Sequence, residues 1–182
     1  GVKEATFANW FGGVYQDERN FFPQFAIDVD TYREMFPEFV ISDEAWRAFA
    51  ADRQGAIAGR TIAERYGWKV GDRIPIRGTI FQGNWEFNLY GIYTGTRPQD
   101  DTTQFWFHYD YLEERFGSWI RGRVGWYTVR VSNPDEAATV VEGVVNAYVA
   151  EQSQTARKSA ADMVRVLEQE RAQLLLKRAA AQ

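Results

Sequence analysis

His108 is the only histidine in the chain, and an imidazole can serve as general base or metal ligand near neutral pH. A Ser-His-Asp relay would also need a serine on a nucleophile elbow, and no G-x-S-x-G occurs. His108 lies in "FWFHYDY", where Phe105, Phe107, Tyr109 and Tyr111 alternate with Trp106, His108 and Asp110. That pattern predicts a histidine on the polar face of a strand. The pairs Asp28/Asp30 and Asp100/Asp101 could hold a cation or divide acid and base duties. Asp28 and Asp30 are expected on one strand face, but no D-x-D-x-D-G loop follows, so a solvated strand end is the simpler expectation. Glu34, Glu38, Asp43 and Glu44 read the same way. The glycines of "FGSWIRGRVGW" do not form G-x-G-x-x-G, and no G-x-x-x-x-G-K-[ST] exists. Nucleotide binding therefore has no support. With no cysteine in the chain, disulfides, thiolate catalysis and cysteine zinc sites are excluded together. No catalytic residue, metal ligand set or cofactor site emerges, and the chain is expected not to be an enzyme.

Six aromatics are ambiguous. Trp10, Phe11, Phe21, Phe22, Trp85 and Trp106 could form a substrate or partner surface for a sugar or peptide, or they could fill the core of a β-rich domain. Aromatic side chains dominate core burial, which favours the second use. At 182 residues with 45% hydrophobic and 16% aromatic content, the chain can bury a core without staples. Lys and Arg number 21 against 25 Asp and Glu, a formal charge of −4. No basic excess invites nucleic acid. No apolar run approaches the ~18 residues that a membrane helix needs. The chain opens on a strand-like "GVKEATF" with no signal peptide, and reads as a piece of a longer protein.

The elements that must position these residues can be read in order. "VKEATFANWFGGVYQ" predicts strands around a Gly12-Gly13 turn or bulge. In "FFPQFAIDVD", Phe25, Ile27 and Val29 alternate with polar and small residues, as in a half-buried strand. "TYREMFPEF" is a short helix stopped by Pro37. "SDEAWRAFAADR" is a second, with Ser42 as cap, Asp43 and Glu44 in its first turn, and Trp46 and Phe49 on one face. "GAIAG" is a short buried strand or turn. Thr61 to Tyr66 form a brief helix, Gly67 suits the left-handed residue that ends it, and Gly71-Asp72 supplies a bend. Together Gly67, Gly71 and Asp72 read as a structural joint. Ile74, Ile76 and Ile80 are expected to face inward, with Pro75 at an edge. After a Gly83-Asn84 turn, Phe87, Leu89 and Tyr93 are expected to share one face of a strand. "FWFHYDYLEERFG" passes from strand into helix, and "GWYTVRV" is a strand. In "SNPDEAATVVEGVVNAYVAE", Asn133 is the expected N-cap and Pro134 the first helical residue. Ala138, Val141, Val145 and Tyr148 are its expected buried stripe, widened by Val140 and Val144. "SQTARKS" would be a strand closing a β-α-β unit, and from about residue 160 the chain turns helical to its end.

Taken in order, "GAIAGRTIAERYGWKVGDRIPI", "WEFNLYGIY", "FHYDYLEERFG", "VGWYTVRVSNPDEA" and "VVEGVVNAYVAEQSQTARKSAADM" resemble the extracytoplasmic domains of MacB/FtsX-like ABC transporter permeases. The resemblance spans about residues 20–165. It implies an α+β fold: porter-like β-α-β units with an inserted small β-rich subdomain, ending in a truncated stalk helix. Residues 1–52 and 119–160 would be the porter-like part, 53–118 the insert, and 160–182 a stalk leading towards a transmembrane span. The implied function is non-catalytic transmission of ATP-driven motion to export or extraction of a substrate outside the membrane. The implied partners are a separate cytoplasmic ATPase, a second permease copy and a membrane fusion protein or other periplasmic partner. The implied location is the periplasmic face of the inner membrane. Two other classes stay open on the residues: a free periplasmic module binding a sugar or peptide through exposed aromatics, and a hydrolase using Asp28/Asp30 or His108.

Overall fold

The computed structural model describes residues 2–133, 137–150, 153–154 and 165. Residues 2–130 form one compact unit, and 131–182 belong to a second. The first unit is a mixed α+β fold on one mixed sheet. Its first half supplies β1 (Val2–Trp10), β2 (Gly13–Val14), β3 (Gln24–Ile27), α1 (Tyr32–Met35), β4 (Phe39–Val40) and α2 (Asp43–Ala51). Then follow β5 (Gly55–Gly59), α3 (Arg60–Tyr66), β6 (Arg73–Gly78) and β7 (Gly83–Gly95). The unit ends with β8 (Phe105–His108), α4 (Tyr109–Phe116), a 3-10 turn (Gly117–Trp119) and β9 (Trp126–Val131), whose last residue crosses into the second unit. The strands run β2-β6-β7-β5-β8-β3-β1-β9, with β4 paired to β7 off this path. β3 and β8 are parallel, as are β5 and β7; the β1–β3, β5–β8 and β6–β7 pairs are antiparallel.

Strand β5, "GAIAG", shows why the residues are so small at the centre. Every one of its residues is buried, because β7 and β8 flank it and both faces of the sheet are covered. Ala56 and Ala58 face a core with Phe11, Phe22, Trp85, Phe87, Phe105 and Phe107, closed by Ile62 of α3 and Leu112 of α4. Ile57 faces a second core with Tyr93, Trp106, Tyr32 of α1 and Phe49 of α2. The period-2 alternation of a strand thus feeds two cores at once.

Local signals set the ends of the elements. The Ser42 hydroxyl accepts from the Ala45 N–H at 3.2 Å and caps α2. Gly67 ends α3 at φ 69°, with its N–H and that of Trp68 returning to the carbonyls of Glu64 and Ala63. Gly71 bends the chain at φ 95°, and its N–H donates to Leu89 O while Leu89 N–H donates to Asp72 O. The Asp72 carboxylate accepts from the Lys69 N–H at 2.8 Å. Pro75 costs no ladder bond on its outer side, since β2 reaches only Arg77 and Gly78.

Several expectations are corrected. Phe87 and Leu89 do not share a face with Tyr93: Ala56 pairs with Leu89 but Ile57 with Gly91, so Tyr90 is an extra residue that flips the strand beyond it. Ile80 stands exposed, because β6 stops at Gly78 and the turn that follows sends Phe81 into the core and Ile80 to solvent. Asp28 and Asp30 are not on a strand; β3 ends at Ile27 and they lie in the turn before α1. In the second unit, residues 137–150 are helical, yet Val141, Val144, Val145 and Tyr148 are exposed and Val140 only half-buried. Among that unit's described residues no second element covers them. Ser153 and Gln154 are helical and not part of a strand; Gln, Ala, Arg and Lys in that run are helix formers and only Thr155 is β-branched. The Pro134 position, the rest of "SQTARKS" and all but Arg165 of the expected stalk lie outside the described residues.

Candidate functional site

The six ambiguous aromatics divide. Phe11, Phe22, Trp85 and Trp106 are buried in the two cores and cannot belong to a surface. The physical reason is their strand and loop parity: Trp106 turns to the Tyr93 side of β8 and stacks on that ring at 4.0 Å between centroids, while Trp85 donates its indole N–H to Phe81 O at 2.9 Å. Trp10 and Phe21 remain at the surface, 37% and 62% exposed. They stack at 6.0 Å, and Trp10 meets Phe25 edge-on at 5.6 Å, in register with it across β1 and β3. Phe25 in turn meets Trp126 of β9 at 5.4 Å, itself 40% exposed. The result is a stripe of four aromatics, two of which sequence reasoning missed. Phe25 and Trp126 carry no local mark, since only strand pairing places them beside Trp10.

The residues considered for catalysis are held in structural tasks. His108 is buried, not on a polar face: β8 is an interior strand, and the ring's Nε2 lies 2.7 Å from the Phe49 carbonyl at the end of α2. Asp28 accepts from the Thr31 hydroxyl at 2.5 Å, organising the turn before α1. Asp100 receives the Arg97 guanidinium at 2.8 and 3.0 Å, and Asp101 receives the N–H and hydroxyl of Thr103 at 2.8 and 2.6 Å. Among the described residues there is no group of three or more His, Asp or Glu placed to hold a metal ion.

Hydrogen bonding decides the ionisation of these carboxylates. Burial pushes the Asp52 carboxyl up, but bonds from Asn88, the Gln54 N–H and Tyr90 outweigh it and leave it below the ordinary value. Asp101 is the same case, its burial offset by Thr103 and Gln104. The Arg97 side chain lowers Asp100. A carboxyl lowered by folding contributes stability that is full above about pH 4, the unfolded value, and is lost as pH falls through its lower folded value. Asp52→Asn is expected to flatten the acid limb of a stability curve taken from urea midpoints between about pH 5 and pH 2. An acid limb unchanged in slope would remove Asp52 from that role.

One mixed sheet with helices on both faces is the fold of ABC transporter permease extracellular domains. The extracellular domain of the noncanonic ABC-type transporter YknZ from Gram-positive bacteria superposes with a TM-score of 0.53 at 13% identity, over 76% of this chain and 70% of its own. A domain of a protein described as a permease, from Porphyromonas gingivalis, gives 0.51 at 13% identity, over 80% of this chain and 63% of its own, just under two thirds. The sequence matches no protein-family model and no curated protein. No helix among the described residues is long and apolar enough to cross a membrane.

Proposed function

We propose that this chain is the extracytoplasmic domain of an ABC transporter permease of the MacB/FtsX-like kind, and that its role is mechanical and not catalytic. The observation that carries the proposal is the shared fold with permease extracellular domains; the ordered motifs from residue 20 to 165 support the subtype. On this reading residues 53–118 are an insert within a porter-like part made of 1–52 and 119–160, and 160–182 are the stalk. A separate cytoplasmic ATPase supplies the work, a second permease copy pairs with this one, and a membrane fusion protein or other periplasmic partner receives the motion. The joint at Gly67, Gly71 and Asp72 serves this role by tying the end of α3 to β7 without chemistry.

The test is a Gly-Gly insertion after Leu167 in the full permease, paired with its ATPase. If the stalk transmits motion, ATP hydrolysis is expected to persist while substrate movement falls by at least about tenfold, because two glycines cost a helix about 2 kcal/mol and free its rotation. Unchanged transport would sink the transmission role. A second reading, a free periplasmic module for a sugar or peptide, is favoured by the exposed Trp10, Phe21 and Trp126. It requires a natural chain without membrane spans on either side, which the complete reading frame decides.

A further inference from the structure

We propose that the first unit carries a binding pocket for a single alkylammonium group, at the carboxyl ends of the parallel strands β3 and β8. There Ile27 and His108 pair in register, and the chain leaves β3 into Asp28 and Asp30, and β8 into Tyr109 and Asp110. Crevices outside the carboxyl ends of parallel strands are where open sheets bind ligands. The cavity has a volume of about 140 Å³. That is below the ~300–1,000 Å³ of sites for larger ligands, so it admits one small group and not a sugar or a peptide segment.

Its lining is mostly polar: Asp28, Asp30, His108, Tyr109 and Asp110 stand beside a smaller apolar patch of Phe7, Ile27, Val29 and Ala50. His108 is 5% exposed. Its Nε2 lies 2.7 Å from a carbonyl oxygen, which can only accept, so that nitrogen carries the proton. In the neutral ring Nδ1 is then a bare acceptor. No hydrogen bond to it is formed among the described residues, and His108 lines the cavity. Among the described residues, no cation or hydrogen-bond donor is placed on the carboxylates of Asp30 and Asp110. The polar lining therefore offers acceptors and negative charge. These outweigh the half charge at the start of α4.

A complementary ligand brings positive charge and several N–H donors on a short carbon stem. A protonated primary amine has all three, with three donors and no acceptor. A bare metal ion fits less well, since no metal-holding group is found among the described residues. A free diamine and the side chain of a lysine on a partner peptide present the same group. The site stands apart from the transport reading, and its success or failure leaves that reading untouched.

The single histidine makes the test direct, because the imidazole gives one set of proton resonances. The full 182-residue chain is titrated with n-butylammonium chloride, against sodium chloride and n-butanol at matched concentration. A saturable shift of the His108 signals with the amine alone is expected. The double variant Asp30→Asn, Asp110→Asn, altered at two exposed positions, is expected to bind at least about tenfold more weakly with its fold intact. Cadaverine and N-acetyl-lysine amide then distinguish the two sources, the tighter one naming the natural ligand. A shift that never saturates, that sodium chloride or n-butanol reproduces, or that the double variant retains in full overturns the proposal.

Discussion

Replacing Trp85 by alanine is expected to cost about 4 kcal/mol, within the ~3–5 kcal/mol typical of large aromatic truncations in cores. Trp85 is fully buried and sits where two strands and a helix meet. Its ring makes edge contacts with Phe11 and Tyr111, both at 5.0 Å, and stacks on Phe116 at 6.1 Å and Phe87 at 6.2 Å. The Arg115 guanidinium lies 4.2 Å over the same ring. Removing it leaves a void that rigid aromatic neighbours cannot close, and it strips the Phe81 carbonyl of its donor. Trp85→Phe keeps most of the volume but not the N–H, so a smaller loss of about 2 kcal/mol is expected. Urea midpoints with unchanged slope measure both. A loss under about 1 kcal/mol for the alanine variant would mean that the ring is dispensable to the core, which a surface role would predict and this packing does not.

That contrast bears on what the sequence discloses. Trp85 and Trp10 look alike in sequence, each a tryptophan flanked by asparagine. One is sealed and the other open because Trp85 is covered by Tyr111 and Phe116 of α4 while Trp10 ends β1. Phe21 and Phe22 are adjacent and go opposite ways, one to solvent and one to the core. Signals that act within a few residues were readable: the Ser42 cap, the left-handed Gly67, and the strand-to-helix passage at His108. Whatever depends on a distant partner was not. The bulge at Tyr90 exists only because β5 pairs with β7, and the burial of His108 depends on a carbonyl 59 residues away. The apolar periodicity of 137–150 gave a helix correctly, but periodicity says which face is apolar and not whether anything covers it. The exposed aromatic stripe likewise arises from cross-strand register, which no linear pattern encodes.

Gly59→Ala should destabilise more than its one added methyl suggests, by about 3 kcal/mol, the upper part of the range for overpacking a rigid site. The reason lies in what touches it. Gly59 ends β5 and starts α3 in an ordinary extended conformation, so no unusual backbone angle marks it. A Cβ there would lie against the backbone of Thr102, well inside the 3.0 Å that real contacts observe. The loop cannot simply step aside. Gly59 N–H donates to Gln104 O at 2.8 Å and Thr61 N–H to Thr102 O at 3.0 Å, with the two threonine hydroxyls 2.7 Å apart. The same loop supplies Asp101 O to the hydroxyl of buried Tyr93 at 2.9 Å, and the Gln104 side chain to the Trp106 indole at 2.9 Å. Moving it away from a methyl would loosen the stacked Tyr93–Trp106 pair at the heart of the second core. Gly67→Ala is the matched comparison. It carries the positive φ but has open space around it, so only the left-handed strain of about 1 kcal/mol applies. Equal losses at the two positions would show that the 100–104 loop yields freely. A loss at Gly59 about three times larger would show that the glycine ending "GAIAG" is set by the backbone packed against it, and that this stretch is built for close approach.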